Sequence, residues 1–398
     1  MAIYNQSKKN LGVAVVGFPY IRENYFEVFR HWPDPDNILF LLPRKWPIKS
    51  GKSVFHPPAD VRIETASAYF SDYHWKYPVI GGILKGWMPA FPLFLWKHRK
   101  KIDLVYACSE PILLSTLYYS LWSKLFRKKL VLFSWENIPY EQKFKGASSL
   151  IHKTLMLANL RLATGLLCGN MAGTILHRRY SSLPIANVPM NGIDANFFNA
   201  QNKSKLFRHY NWNGKIVYTF IGAIGYRKGV HVALEAFKSV RQRISNAVLA
   251  IAGSGEYEKE LDQQIERLDI SESVIRFPWL DQKEVVQLLL TTDVFLYPSI
   301  SAGGWEEQFG YSMAEASLME VPVIASRTGS IAEVVHDGET GILVPPDDIQ
   351  SLASAMMDLG QNETSRSRLG KAGRRYVMEK YSNSSVARRM YDFFLSLS

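Results

Sequence analysis

The sequence predicts an α/β protein of two doubly wound domains, each built on a parallel sheet. Three observations predict it. The 398 residues suffice for two or three domains that each bury a core. In the second half, short β-branched runs alternate with longer helical stretches, the pattern of βαβ units. In the first half, near-continuous apolar runs read as strands buried on both faces.

Taken in order, residues 1–10 are polar, with Lys8 and Lys9 and no apolar segment behind them, which is not the pattern of a secretory signal. The runs Leu11–Val16, Ile38–Leu42, Asp103–Ala107, Lys129–Phe133 and Thr164–Cys168 read as the strands of a first sheet. Residues 196–213 are polar and aperiodic and read as a linker. Beyond it, Lys215–Gly222, Ala247–Gly253, Val274–Phe277, Val294–Tyr297 and Val321–Ala325 read as strands of a second sheet. Between them, Val230–Val240, Glu256–Leu268, Gln282–Thr291 and Gly310–Met319 read as helices, and Val386–Leu397 as an amphipathic one. Ligands of such sheets lie at the carboxyl ends of the strands, and in two-domain proteins also in the cleft between domains.

Composition narrows the function. Charged residues at 21% and hydrophobic residues at 47% exclude a disordered chain. Two cysteines, Cys108 and Cys168, cannot form a disulfide framework, so a reducing, cytoplasmic setting is expected. No run of about 20 apolar residues occurs, so no bilayer-spanning segment is expected. Residues 1–199 carry a net charge of +13 and residues 200–398 a net −2, which directs the first half toward an anionic partner. Gly86–Trp96 followed by Lys97–Lys101, and Leu121–Lys129, set aromatic and aliphatic residues beside basic clusters. Two readings stand: a peripheral surface on the anionic inner face of a membrane, or domain core beside solvated bases. No zinc finger, aromatic RNA-binding motif or basic helix repeat points to nucleic acid.

Two stretches carry the chemistry. From Tyr297 to Glu315 the chain leaves a strand, crosses a glycine-containing loop and enters a helix at Phe309–Gly310. Unpaired amides at that helix start suit a phosphate, and Glu307 and Glu315 flank it as acceptors for hydroxyl groups. A single Glu in such a place is ordinarily a cap or a solvated residue; two around Phe-Gly at a strand–helix junction are a stronger signal. In the second stretch, Phe220–Gly229, a strand runs into a glycine loop containing Gly225, and Arg227 and Lys228 precede a helix. Two cations there can offset the charge of a diphosphate, although a loop with two exposed bases has the same composition. Gly253-Ser-Gly255 makes another strand–glycine turn, which lets a ligand approach the backbone.

On these residues the chain resembles the retaining glycosyltransferases of family four, the group-one glycosyl transferases, which have the two-domain GT-B fold. Glu307 to Glu315 resembles the family's Glu-x7-Glu motif, and Arg227-Lys228-Gly229, Gly253–Gly255, Pro322–Ser326, Gly329, Glu333, Asp337–Val344 and Asn191–Asp194 match as well. The match is dense from about Cys168 to Tyr381. The resemblance implies a Rossmann-like acceptor-binding domain over residues 1–196, a nucleotide-sugar-binding one over 197–380, and a helix over 381–398 that returns to the first. It implies that Arg227 and Lys228 hold the donor diphosphate beside Gly225 and Gly253, and that Glu315 holds the ribose. It further implies that Glu307, Gln308 and the Phe309–Gly310–Tyr311 backbone hold the sugar and distal phosphate, with Pro278 and Trp279 near the base.

Two positions depart from the family pattern. Ala223 stands where the family often has Arg, and Phe133–Pro139 lacks the family's His, leaving Glu136 as the nearest polar candidate. The implied function is retaining transfer of a sugar from a nucleotide-diphosphate sugar to a hydroxyl of a glycan, a lipid-linked sugar or a small molecule. Glu307, Lys228, Arg227 and Glu136 are its catalytic candidates. A non-catalytic nucleotide-sugar-binding partner or sensor is the alternative, and a sugar-nucleotide epimerase shares the architecture. No cofactor or metal is expected, because Asp34-Pro-Asp36 has the spacing of a metal-binding Asp-x-Asp but the context of a turn.

Overall fold

The computed structural model describes residues 11–21, 25–48, 51–70, 82–200 and 212–398. Residues 1–10 and most of the expected linker lie outside them. The chain divides into two compact units, residues 1–192 with 383–398, and residues 193–382.

Among the described residues, the first unit is built on a seven-stranded, all-parallel sheet. Its strands are β1 (Val13–Val16), β2 (Ile38–Pro43), β5 (Ile63–Ala66), β6 (Leu104–Ala107), β7 (Lys129–Ser134), β8 (Gly165–Cys168) and β9 (Ile185–Asn187), and β3 (Lys45–Ile48) with β4 (Gly51–Val54) forms a separate antiparallel pair. The order β5-β2-β1-β6-β7-β8-β9 reverses direction between β1 and β6, as in a doubly wound fold. The pleat explains the apolar runs. Val13 and Val15 face one layer with Phe40, Tyr106 and Phe133, while Ala14 and Val16 face the other with Leu41, Val105 and Leu132. The closing helix Asn383–Ser396 adds Val386, Met390 and Phe394 to the first layer, with Trp32 tilted against Phe394.

The second unit is a six-stranded parallel sheet of β10 (Ile216–Ile221), β11 (Ala247–Ala252), β12 (Val274–Phe277), β13 (Val294–Tyr297), β14 (Val323–Ser326) and β15 (Gly341–Val344). Its order, β12-β11-β10-β13-β14-β15, reverses between β10 and β13. Tyr218, Phe220, Leu249 and Ile251 face helices Val230–Arg243 and Ile349–Gln361, and Val217, Ala250 and Phe277 face the opposite side.

The strands expected from sequence are present within one or two residues of their expected ends. Sequence reading missed β5, β9, β15, the β3–β4 pair and, among the longer helices, Phe91–His98, Leu114–Leu125, Ala147–Leu162, Met171–Arg178, Ile349–Gln361 and Glu363–Tyr381. Helix Glu363–Tyr381 is charged and contains two glycines, which argue against a helix by propensity. Packing overrides propensity here: a Cβ at Gly370 would lie 1.9 Å from the Glu320 carbonyl oxygen.

This contact sets two effects against each other. By propensity, Gly370→Ala stabilises the helix by about 1 kcal/mol; by packing, it drives the helix off its neighbour. We expect a loss of about 1–3 kcal/mol in urea unfolding. A gain in stability would remove the close-packing account.

Candidate active site

The carboxyl edge of the second sheet, where its order reverses, gathers the residues that the motifs singled out. β10 ends at Ile221, and the loop Gly222–Gly225 leads to a 3-10 turn, Tyr226–Lys228. Gly229 then takes a left-handed conformation (φ 66°) and opens helix Val230–Arg243. A Cβ at Gly229 would lie 1.8 Å from the Pro298 carbonyl oxygen, just beyond β13, so only glycine lets the helix start sit there. Gly253 has the same role after β11, with φ 139° and 1.8 Å to the Gly222 oxygen. The loops are laced together: the Gly253 amide donates to Phe277 O, the Gly222 amide to Ala252 O and the Ile224 amide to Ser254 O. Gly225 differs. A side chain there would meet only Glu256, at 3.7 Å, so the protein's own packing leaves that space open.

Within this frame Lys228 and Glu307 form a buried ion pair, Nζ to Oε2 at 2.5 Å. The same carboxylate oxygen accepts from the Tyr297 hydroxyl at 2.6 Å and from Ser299 Oγ at 3.3 Å, both at the end of β13. The Ser330 amide donates to the Glu307 carbonyl at 2.8 Å, and a Cβ at Gly329 would strike that carbonyl at 2.2 Å. Glu307 is therefore held by three segments distant in sequence. Burial lowers the Lys228 pKa, and the Glu307 charge works against that shift. Burial, and then the Glu307 carboxylate, push the Tyr297 phenol well above its ordinary range, so it stays a donor.

Arg227 lies with its guanidinium carbon 3.6 Å from the centre of the Trp305 ring, and Lys228 Nζ stands 5.1 Å from that centre. Such a cation–π contact contributes about 0.5–2 kcal/mol. Arg227 Nη1 is buried and has no hydrogen-bond partner, a costly state that a ligand oxygen would relieve. Sequence reading did not single out Trp305; its signal is an aromatic after Gly303-Gly304 within Tyr297–Glu315.

Helix Tyr311–Leu318 begins at Gly310 (φ 87°), and no side chain caps it. A Cβ at Gly310 would come 3.2 Å from the Tyr297 hydroxyl oxygen, so this helix start abuts the Lys228–Glu307 network. The Phe309 side chain makes an edge-on contact with Tyr381, 4.9 Å between centroids. Glu315 is half-buried, and its carboxyl has no hydrogen-bond or ion-pair partner among the described residues. Burial raises its pKa to about 7. Gln308 is half-buried, while Pro278 and Trp279 follow β12 in exposed positions. The structure thus brings Arg227, Lys228 and Glu307 into one cluster, with Gly225, Gly253 and the start of the Glu315 helix around it.

Glu136 belongs to the first unit, after β7. It is buried and paired with Lys143, and its amide donates to Ser134 Oγ at 3.1 Å. Beside it stands Glu110, beyond β6, which sequence reading missed. Its carboxylate accepts from Ser134 Oγ and from the Trp135 amide, both at 2.7 Å. Burial, reinforced by the Glu136 charge, lifts the Glu110 pKa to about 7. The clue was an acid directly after an apolar strand at the sheet's reversal point. His177 is buried nearby, with Nε2 3.1 Å from the Tyr140 hydroxyl and Nδ1 2.8 Å from Gly173 O. Burial lowers its pKa, against the opposing hydrogen bond to Gly173. Asp34 and Asp36 lie in a 3-10 turn, Asp34 accepting from Asn37 at 2.6 Å and Asp36 facing Arg62. Among the described residues, no group of three or more His, Cys, Asp or Glu is placed to hold a metal ion.

Residues 202–376 match the family model described as glycosyl transferases group 1. Over 194 residues the chain is 27% identical to a GDP-mannose-dependent alpha-(1-6)-phosphatidylinositol monomannoside mannosyltransferase of Mycolicibacterium smegmatis, covering 48% of this chain and 51% of the relative. It is 31% identical over 193 residues to the sulfoquinovosyl transferase SQD2 of Arabidopsis thaliana, covering 48% of this chain and 36% of that one. The chain therefore spans about half or less of the length of these curated relatives. The crystal structure of Anabaena HepE (Alr3699) in complex with UDP and glucose superimposes with a TM-score of 0.71 at 17% identity, over 97% of this chain and 100% of that one. Sucrose-phosphate synthase of Thermosynechococcus elongatus superimposes with a TM-score of 0.72 at 16% identity, over 97% and 99%.

The desolvated Glu315 carboxyl has a pH signature. The folded protein holds this proton more tightly than the unfolded chain does, so stability declines as pH rises from about 4.5 toward 7. Glu315→Gln removes that decline. Urea unfolding at pH 5 and 7.5 should show the parent losing about 1–3 kcal/mol relative to the variant. Parallel profiles would mean that the carboxyl is solvated.

Proposed function

We propose that this chain, whose residues 202–376 belong to the group 1 glycosyl transferases and whose fold is GT-B, is a retaining glycosyltransferase. It moves a sugar from a nucleotide-diphosphate sugar to an acceptor hydroxyl in glycan, glycolipid or polysaccharide synthesis. The observation that carries this reading is the unpaired, buried Arg227 Nη1 beside the Lys228–Glu307 pair, at a strand-end glycine loop. The printed names of the relatives support it: one is GDP-mannose-dependent, and the Anabaena protein was crystallised with UDP and glucose.

In this reading the bond between the anomeric carbon and the distal phosphate oxygen breaks, and its electron pair leaves with the diphosphate. The acceptor oxygen bonds to that carbon on the same face, and its proton passes to the departing phosphate oxygen. Arg227 and Lys228 stabilise the charge that grows on the diphosphate, helped by the amides opening the helix at Gly310. Lys228 is already oriented by Glu307 and Tyr297, so little reorganisation is needed when charge develops. Glu315 accepts from the ribose hydroxyls, Glu307 and Gln308 bound the sugar side, and Pro278 and Trp279 flank the base. Glu136, with Glu110, faces the acceptor chemistry of the first unit. The two fixed cations supply the charge that a divalent ion supplies elsewhere, and turnover is expected to persist in EDTA.

Lys228→Ala should lower turnover by about 10²–10³ while the far-ultraviolet circular dichroism is unchanged. An unchanged rate would remove Lys228 from the chemistry. Thermal unfolding with a panel of UDP-, GDP- and ADP-sugars identifies the donor, since a ligand at 100 times its Kd adds about 2.7 kcal/mol. Hydrolysis of that donor without acceptor separates an enzyme from a nucleotide-sugar sensor, which would bind the donor and leave it intact.

A further inference from the structure

Helix Leu114–Leu125 in the first unit is built inside out. Its inner face carries Ser115, Thr116, Tyr119, Ser120 and Ser123, all buried. Their hydroxyls are satisfied: Ser115 Oγ donates to Lys85 O, Thr116 Oγ1 to Glu110 O and Ser123 Oγ to Tyr119 O. Ser120 Oγ reaches Asn159 Oδ1 of the neighbouring helix at 2.7 Å. The four leucines of the helix, at 114, 117, 121 and 125, follow a helical repeat on the outer side, with Leu121 54% and Leu125 68% exposed. A helix facing water has the opposite arrangement.

The adjacent helix Phe91–His98 repeats the theme. Phe91, Phe94 and Leu95 are buried, so part of this aromatic stretch is core, while Leu93 (66%) and Trp96 (57%) face outward. The two helices end together, because Lys128 Nζ donates to Arg99 O and Ile102 O at 2.6 Å each. That junction gathers Arg99, Lys100, Lys101, Lys124 and Arg127, all exposed. Leucine and tryptophan project from a surface whose margin is cationic, in the half of the chain that carries +13.

We propose that this face rests on an anionic lipid bilayer, with Leu93, Trp96, Leu121 and Leu125 entering the interface and the cations at the helix ends meeting lipid phosphates. Charge complementarity commits the face to such a surface: apolar projections bounded by Lys and Arg match an acyl boundary beneath anionic headgroups. Among the described residues no helix is long and apolar enough to cross a membrane, so the contact is interfacial. The inference concerns a surface distinct from the Lys228–Glu307 cluster, and its test does not depend on the transferase reading.

The test is flotation with vesicles of phosphatidylcholine alone and of phosphatidylcholine with 30% phosphatidylglycerol. The protein should float with the anionic vesicles, and 0.5 M salt should weaken that binding. Leu121→Ser with Leu125→Ser should weaken binding at least about tenfold, from the apolar area withdrawn from lipid. Lys124→Glu with Arg127→Glu should do the same, since each basic residue near such a surface contributes about fivefold. All four positions are exposed, so melting by circular dichroism should match the parent. Protein that stays at the bottom of the anionic gradient, or floats equally with both double variants, overturns the proposal. A dimer in light scattering that Leu121→Ser with Leu125→Ser converts to a monomer also overturns it, because a second copy would then cover the face.

Discussion

The buried pair of Lys228 and Glu307 is the constraint around which the second unit's site is arranged. Two charges withdrawn from water persist only when each neutralises the other and the remaining lone pairs find donors. Tyr297 and Ser299 supply those donors from the end of β13. Removing one partner leaves an uncompensated charge, at a cost of about 3–5 kcal/mol. The pair therefore ties the Tyr226–Lys228 turn, the end of β13 and the loop before helix Tyr311–Leu318 to one geometry. Arg227 inherits its position from that turn, and its guanidinium lies over the Trp305 ring.

Close backbone approaches make this convergence feasible. Gly229 against Pro298 and Gly253 against Gly222 are contacts that no side chain could share, and they bring separate strand ends within reach of one ligand. The sheet order supplies the rest: where it reverses, between β10 and β13, adjacent crossovers diverge to opposite faces and leave the strand ends uncovered. The first unit has the same reversal between β1 and β6, and there Glu110 and Glu136 share Ser134. Burial first, and then the Glu136 charge, raise the Glu110 pKa to about 7.

The two units divide their surface chemistry. In the second unit Arg227 Nη1, beside the glycine loop before helix Val230–Arg243, and the Glu315 carboxyl are among the polar groups that lack protein partners, as are His231 Nδ1, Arg276 Nε, Gln287 Oε1 and Ser330 Oγ. In the first unit the unusual surface is apolar and cationic, made by a helix whose hydroxyl residues face inward. Small buried residues let helix Ala147–Leu162 approach closely, and the leucines they displace are left outside. One face of one helix thus serves packing and surface character together.

Sequence alone determined the two parallel sheets, because strands buried on both faces must be apolar throughout and cannot be mistaken for a surface pattern. It also singled out Arg227, Lys228, Glu307 and Glu315, since charged residues at strand–glycine–helix junctions have few structural uses. It could not reveal helix Glu363–Tyr381, whose glycines look like breakers until Gly370 meets the Glu320 carbonyl. Nor could it reveal Glu110, Trp305 or the pairing of Lys228 with Glu307, which lies 79 residues away. Those depend on which strand ends become neighbours. That is decided by sheet order and backbone approach in three dimensions, and local periodicity carries no record of it.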